Sequence, residues 1–72
     1  MDIEKQFVSS SNIEAIGYDE ESQTLRIWFL TGSVYDYANV ANIEFEALLI
    51  APSVGAYFNR NIKNSYPYAK VG

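Results

Sequence analysis

Apolar and polar residues alternate most regularly at residues 24–30 (TLRIWFL), where positions 25, 27 and 29 are apolar. An alternation with a period of two is typical of a β-strand with one buried face. Residues 13–19 (IEAIGYD) and 33–37 (SVYDY) are also predicted to be strands, and the connections between the three are the polar segment EESQ and a turn that contains Gly32. The first half of the chain therefore predicts a three-stranded antiparallel meander.

The hydrophobic period changes after residue 41. Residues 42–51 (NIEFEALLIA) have apolar side chains at 43, 47 and 50 and again at 45, 48 and 49, which predicts a mostly buried α-helix. Asn42 is the predicted N-cap of this helix, because its short side chain can accept a hydrogen bond from a free backbone N–H. Pro52 is expected to end the helix, since the residue before a proline avoids the helical conformation.

A second helix is predicted at residues 54–64, with Ser53 as its N-cap and with Val54, Phe58 and Ile62 on one face. The tail that follows is interrupted by a proline and is expected to be loosely held. The predicted fold class is α+β: a three-stranded antiparallel meander followed by two helices packed on one face of the sheet (β-β-β-α-α).

The length of the turn between the second and third strands decides which side chains face the core. A two-residue turn would put Asp36 beside Ile27 on the apolar face. A three-residue loop that ends with Gly32 in a left-handed conformation would instead put Asp36 opposite Arg26. Cross-strand pairs contribute roughly 0.2–1 kcal/mol each, whereas a charge buried in an apolar core costs several times more. The three-residue loop is therefore predicted, and both tyrosines of YDY then face the core.

The predicted core residues share the face of the sheet that the helices cover, or the inner faces of the helices. They are Ile16, Tyr18, Leu25, Ile27, Phe29, Tyr35, Tyr37, Leu48, Phe58 and Ile62. The opposite face of the sheet would carry Trp28 and Val34. Two interpretations of that face remain open at this point: it is an exposed apolar patch of the kind that often marks a partner surface, or it is covered by the QFV segment or the tail.

Composition limits the chemistry that this chain can perform. Its 72 residues provide one domain, spanning residues 1–72, and include no cysteine and no histidine. Thiolate nucleophiles, disulfides and the commonest metal ligand are therefore absent. The acidic run Asp19, Glu20 and Glu21 lacks the spacing of a calcium loop and is interpreted as a solvated turn. The sequence predicts no catalytic residues, no metal site and no cofactor.

The charge and the ends of the chain bear on partners and location. Nine acidic and five basic residues give a net charge of −4, whereas proteins that mainly hold phosphates usually have an excess of Lys and Arg. Residues 1–8 (MDIEKQFV) are expected to be an irregular lead-in and do not resemble a signal peptide. The longest apolar run, ALLIA, is too short to cross a bilayer. We therefore expect a cytoplasmic protein with no membrane partner.

Cationic and aromatic residues nevertheless cluster near the end of the chain. Arg60 and Lys63 are three positions apart on one helix face, and Lys70 follows together with Tyr66 and Tyr68. Recognition of single-stranded RNA uses cations interleaved with aromatic rings. These five residues are a candidate RNA-binding set. The alternative is that the cations only offset the helix dipole and the acidic charge.

Three short motifs of the chain occur together in a known family: IGYD at 16–19, YxY at 35–37 and YFN at 57–59. With them, residues 7–66 resemble the KTSC domain, a small module at the C-terminus of some lysyl-tRNA synthetases that is also a stand-alone protein in bacteria and phages. The resemblance implies no established activity. RNA binding has been suggested for this family because of its connection with the synthetases.

The function predicted from the sequence is that of a small non-catalytic binding module. One version is an RNA-binding accessory domain, which the resemblance and the cationic set support. The other is a protein–protein interaction or homo-oligomerisation module that uses the open sheet face around Trp28, which the acidic charge supports. The identity of the partner, and the choice between a monomer and a homodimer, stay open at this stage.

Overall fold

A computed structural model describes residues 3–72, and within them all strands belong to one antiparallel sheet whose strand order follows the chain. Residues 1 and 2, the start of the predicted lead-in, lie outside the described part. The elements in chain order are β1 (Gln6–Phe7), β2 (Ile13–Asp19), β3 (Thr24–Phe29), β4 (Val34–Tyr37), α1 (Asn42–Ile50), α2 (Val54–Asn61) and β5 (Tyr68–Lys70). An antiparallel sheet with two helices confirms the predicted α+β class.

The sheet has five strands in residues 3–72, so the prediction of three strands (β-β-β-α-α) is wrong in this detail. β1 pairs with β2, and β5 pairs with β4 so that Tyr68 lies opposite Tyr37. All residues of β1 and β5 are exposed, so neither strand carries an alternating pattern that the sequence could reveal. The tail, expected to be loosely held, is instead tied to the sheet by backbone hydrogen bonds such as that from Val71 N–H to the Val34 carbonyl, at 2.7 Å.

The hairpin between β3 and β4 has the predicted three-residue loop and register. Ile27 lies opposite Tyr35, and Arg26 lies opposite Asp36. Gly32 has a φ of +99°, a conformation that residues with a Cβ rarely adopt. The register places the two tyrosines of β4 on the side of the sheet that the helices cover.

A β-bulge at Glu14 interrupts the pairing of β2 with β3. Ile13 lies opposite Phe29 and Ala15 lies opposite Trp28, so β2 contains one extra residue at this point. The extra residue turns Ile13 to the core side, where it is fully buried. The bulge therefore sets the direction in which the preceding serine-rich segment enters the sheet.

The starts and ends of the helices differ from the sequence predictions at two places. α2 ends at Asn61 rather than at residue 64, because Ile62 is the C-cap and residues 62–64 form a turn. Asn42 is not the N-cap of α1: Ala41 takes that position, and the Asn42 side chain donates a hydrogen bond to Glu46 at 3.3 Å. The predicted cap is wrong because this amide bonds to a carboxylate one turn ahead rather than to the helix N-terminus. Ser53 caps α2 as predicted, and its Oγ accepts a hydrogen bond from the Ala56 N–H at 3.2 Å.

One hydrophobic cluster joins the sheet to both helices. Its buried members are Ile13, Ile16, Leu25, Ile27, Tyr37, Val40, Phe45, Leu48, Val54, Phe58 and Ile62. Tyr18, Phe29 and Tyr35 are partly buried and pack against this cluster. Within residues 3–72, no polar or charged residue is buried apart from the phenol of Tyr37. The core is therefore apolar, with tyrosine hydroxyls at its edge.

Candidate functional site

A groove lies where the end of α2 approaches the β3–β5 half of the sheet. It encloses about 350 Å³, which is near the lower limit of small-molecule sites, roughly 300–1,000 Å³. Its lining divides into an aromatic part and a polar part, and these parts come from different elements of the fold.

The aromatic part consists of Phe29, Tyr35, Tyr37, Phe58 and Tyr68. Tyr35 and Tyr37 share one face because they are two positions apart on β4, and β5 places Tyr68 opposite Tyr37. The ring centroids of Tyr37 and Tyr68 are 5.6 Å apart, and Tyr37 meets Phe58 edge-on at 5.4 Å. These distances lie in the range in which aromatic pairs attract each other. The rings therefore support one another and form a fixed floor.

The hydroxyl of Tyr37 is the unusual polar group of the groove. Tyr37 is 4 % exposed, and its hydroxyl makes no hydrogen bond to any residue of the described chain. Every fully buried side-chain oxygen or nitrogen in residues 3–72 has a partner, so this hydroxyl retains some contact with solvent, and Tyr37 is one of the residues that line the groove. Burial, with smaller effects of Tyr35 and Tyr68, raises the pKa of Tyr37 to about 12. The hydroxyl is therefore a protonated donor at neutral pH.

The polar part of the lining forms the rim. Its members are Asn12, Thr31, Ser33, Asn59, Lys63 and Asn64. α2 ends at Asn61, and the Lys63 N–H then bonds to the Phe58 carbonyl at 2.9 Å, which holds the turn that carries Lys63 to the rim. The rim offers amide donors and acceptors, hydroxyls and one ammonium group beside an aromatic floor.

The structure brings together two of the five residues predicted to bind RNA. Lys63 and Tyr68 both line the groove, and Tyr68 is 61 % exposed. Lys70 lies opposite Tyr35 in the β4–β5 ladder, and Arg60 is exposed in the last turn of α2, but neither lines the groove. The predicted set is therefore spread over α2, β5 and the segment that connects them.

Tyr66, the fifth predicted residue, takes part in a hydrogen-bonded clamp. Its hydroxyl donates to Glu44 Oε2 at 2.9 Å, and the Tyr57 hydroxyl donates to the other oxygen of the same carboxylate. The bond to Glu44, with burial, raises the pKa of Tyr57, while burial first and this bond second raise the pKa of Tyr66. The clamp ties α1 to α2 and to the segment before β5.

Trp28 and Val34 lie on the opposite face of the sheet, and both are half-buried. The N-terminal residues 3–5 cross this face near Gly17, and the Lys5 ammonium is 5.3 Å from the centroid of the Trp28 ring. The last residues of the chain pair with the backbone of Val34. The two interpretations of the face that carries Trp28 and Val34 are therefore both true in part, because residues near both ends of the chain cover some of this face and leave the rest exposed.

The ion pairs divide the cations into two groups. Lys5 Nζ lies 3.5 Å from the Glu14 carboxylate, and Arg26 makes two contacts with Asp36, at 2.7 and 2.8 Å. The cations that make no ion pair with any residue of 3–72 are Arg60, Lys63 and Lys70. All three belong to α2, to the turn after it or to β5.

A second, more open depression lies beside the groove and shares Asn12 and Asn59 with it. The serine-rich segment 9–12 and the N-terminus of α2 line it. A Cβ at Gly55 would lie 2.9 Å from the side-chain oxygen of Asn12, so glycine lets this segment pack against the helix. None of its side chains is buried, so it lacks the enclosed polar group that the groove has.

In residues 3–72, no group of three or more potential ligand side chains is arranged to hold a metal ion. The helices of this part of the chain are also too short, or too polar, to cross a bilayer.

Sequence reasoning missed part of the groove. Asn64, Thr31 and Ser33 carried no signal, because isolated polar residues in turns are common. Tyr35 and Tyr37 were predicted only as core residues, and their spacing on β4 was the one available sign of a shared surface.

Comparisons with known proteins place this geometry in a family. The family model described as KTSC domain matches residues 9–66. A crystal structure of a KTSC domain protein from Yersinia pestis superimposes with a TM-score of 0.94 and 34% sequence identity, covering 99% of this chain and 100% of that one. The five-stranded arrangement is therefore similar to that of a solved relative.

Two curated relatives differ in length. A protein from Stutzerimonas stutzeri (strain A1501) is 37% identical over 65 residues, which is 89% of this chain and 92% of that protein. A lysine–tRNA ligase from Nostoc punctiforme is 39% identical over 61 residues, which is 85% of this chain but 11% of the ligase. The similar segment thus occurs both in a protein of comparable length and as a small part of a ligase.

Proposed function

The chain belongs to the KTSC domain family, and from this premise we propose that it is a small non-catalytic module that binds single-stranded RNA at the groove. One observation carries the proposal. The three cations that make no ion pair with residues 3–72 lie in the elements that border the groove, and Lys63 lines it. An ammonium without an anionic partner is available for a phosphate.

The aromatic floor supports single-stranded RNA rather than a duplex. Tyr68 is exposed enough for a base to stack on its ring, and stacking of this kind is available only to unpaired bases. A duplex would instead require a long basic surface, which a chain of net charge −4 does not offer. We therefore expect a short contact with few phosphates.

The relatives support RNA as the ligand class. A lysine–tRNA ligase, whose name specifies a substrate made of RNA, contains a similar segment that is 11% of its length. The activity of the ligase belongs to the rest of that protein and is not proposed for this chain. A cytoplasmic location is part of the proposal.

The test is a titration of fluorescently labelled oligouridine by anisotropy at low salt. We expect weak, salt-dependent binding, with a slope of log K against log salt of about −2 at most, because only three cations are available and each contributes roughly 0.7 on a single strand. Replacement of Arg60, Lys63 and Lys70 by Gln should abolish binding.

The matched control is Lys5→Gln, which removes a cation that already pairs with Glu14 on the opposite face. It should bind RNA like the wild type. Absence of binding by the wild type at low salt, where such contacts are strongest, would refute the proposal.

A protein-interaction or homodimer module is the second candidate function. The observation that favours it is Phe7, which is 71 % exposed on the face of the sheet opposite the helices, with the Lys5 ammonium 5.6 Å from its ring and 5.3 Å from that of Trp28. Light scattering of the wild type and of Trp28→Ser tests the homodimer version. A dimer that Trp28→Ser dissociates supports it, and two monomers with the emission of a buried indole contradict it.

A further inference from the structure

We propose that the groove holds one unstacked nucleobase, and that the Tyr37 hydroxyl donates a hydrogen bond to an acceptor atom on the edge of that base. This inference rests on the proposed function and names the part of the RNA that the groove recognises. The phosphates would then be held at the rim, and the base would be held at the floor.

The Tyr37 hydroxyl has no hydrogen-bond partner in residues 3–72, although its side chain is almost fully buried. A hydroxyl that loses much of its contact with water without gaining a hydrogen bond is unfavourable relative to one that is bonded. Among the half-buried phenols, Tyr18 donates to the Val40 carbonyl and Tyr57 and Tyr66 donate to Glu44, whereas the hydroxyl of Tyr35, also in the groove lining, makes no hydrogen bond in residues 3–72. Tyr37 is more buried than any of these four, and its hydroxyl also has no partner in residues 3–72. A ligand in the groove would supply one.

The protonation state of Tyr37 sets the direction of that hydrogen bond. The pKa of Tyr37 is raised to about 12 by burial, so the hydroxyl keeps its proton throughout the physiological range. It therefore always presents a donor to the groove. Nucleobases carry acceptors on their edges, either carbonyl oxygens or ring nitrogens, and proteins that bind single strands read these edges.

The composition of the lining favours a base over a phosphate as the group at the floor. Five aromatic side chains line this part of the groove, and Lys63, which is exposed, is the only cation among the lining residues within 3–72. A phosphate prefers several donors and cations, whereas a planar base gains from contact with rings. Tyr68 provides an exposed ring for stacking, and Asn59 and Asn64 provide amides that can bond to the rest of the base edge.

The size of the groove agrees with one nucleotide. Its volume of about 350 Å³ is suited to a single small ligand rather than to two stacked bases with their sugars. A strand that crosses the groove would therefore insert one base at a time and leave its neighbours over the rim.

The experiment compares Tyr37→Phe with Tyr57→Phe in the anisotropy titration with oligouridine. Both changes remove one phenolic oxygen and keep the ring, but Tyr57 lies outside the groove lining. We expect Tyr37→Phe to weaken binding about three- to tenfold, as for loss of one hydrogen bond. We expect Tyr57→Phe to bind like the wild type. Circular dichroism verifies that both variants are folded.

A second measurement uses small probes. Uridine monophosphate and ribose 5-phosphate are titrated separately into ¹⁵N-labelled wild type, and the amide signals of Tyr35 and Asn64 are followed by NMR. We expect shifts with the nucleotide and not with the sugar phosphate. Equal shifts with both probes, or wild-type affinity of Tyr37→Phe for RNA, would overturn this inference and leave the proposed function intact. Failure of the wild type to bind any RNA would instead overturn the proposed function itself.

Discussion

Asp36 is the residue whose charge determines how the β3–β4 hairpin is arranged. In the observed register its carboxylate accepts hydrogen bonds from Arg26 Nε and Nη2 at 2.7 and 2.8 Å, and both side chains are mostly covered. The Arg26 guanidinium also lies 5.9 Å from the Trp28 ring. If the register of β4 shifted by one residue, the Asp36 carboxylate would face the apolar core, which is unfavourable. The main effect of the Arg26–Asp36 pair is therefore to exclude the shifted register, and its direct contribution to the stability of the observed register is smaller.

We predict that Asp36→Asn lowers the free energy of unfolding by about 1–2 kcal/mol, because it leaves a partly covered guanidinium without its anion. Urea denaturation measures the change. The control is Lys5→Met, whose pair with Glu14 is more exposed and longer, at 3.5 Å, and which should lose less than about 1 kcal/mol. Equal losses of stability in the two variants would show that the two hydrogen bonds between Arg26 and Asp36 contribute no more than the single, exposed contact of Lys5 with Glu14.

At the scale of elements, a segment could be predicted from the sequence where one of its faces is buried. β2, β3 and β4 alternate and were found, and Ser53 marked the start of α2. All residues of β1 and β5 are exposed, so their sequences lack the alternation of apolar and polar positions that marks a half-buried strand. Backbone pairing attaches both strands to the sheet, and Tyr68 of β5 also packs against the rings of β4. The same limit applies to the groove. The positions of Tyr35 and Tyr37 could be predicted from the alternation of β4, but the position of Tyr68 depends on β5, which the sequence pattern did not predict.

The N-terminal segment depends on Gly17. A Cβ there would lie 2.5 Å from both the Glu4 carbonyl oxygen and Ile3 Cγ2, and 3.1 Å from the Trp28 ring. We predict that Gly17→Ala displaces residues 3–5 from the sheet, shifts the fluorescence of Trp28 to longer wavelength, and lowers the free energy of unfolding by about 1–3 kcal/mol.

Gly32→Ala is the matched control for Gly17→Ala. No atom lies within 4 Å of a Cβ at Gly32, but its φ of +99° makes a side chain there unfavourable. This variant should lose about 1–2 kcal/mol through backbone strain, without a change in the fluorescence of Trp28. A shift of emission in Gly32→Ala, or none in Gly17→Ala, would contradict the role assigned to the segment.

At the scale of the whole molecule, one apolar cluster must hold the sheet and both helices. Stability of native proteins is roughly 0.05–0.15 kcal/mol per residue, so a chain of 72 residues is expected to reach only about 4–11 kcal/mol. The chain has no cysteine, and no residue of 3–72 belongs to a group that could hold a metal ion, so neither a disulfide nor a metal site in this part of the chain supports the packing. A single substitution in the core is therefore expected to remove a large part of the total free energy of unfolding.

We predict that Leu48→Ala, which removes a fully buried side chain, lowers the free energy of unfolding by about 2–5 kcal/mol and leaves a measurable fraction unfolded at 37 °C. Urea denaturation and one-dimensional NMR measure both effects. The neighbouring Leu49 is 36 % exposed, so Leu49→Ala should lose about 1 kcal/mol or less. Similar losses at the two positions would contradict the packing described for α1.

The bulge at Glu14 makes chain length, rather than residue identity, the property most tightly constrained in the first half of the molecule. Loss of one residue there would turn Ile13 out of the hydrophobic core. It would also move Asn12, which lines both the groove and the depression beside it, toward the other face of the sheet. The turn at residues 20–23 lies between the paired strands, so a change in its length would disturb the local hydrogen bonds of Ser22 and Gln23 but would not turn the side chains of β2 or β3 to the other face. During divergence of the family, insertions and deletions are therefore expected to accumulate in that turn and to be eliminated between Ile13 and Ala15, whatever amino acids occupy those positions.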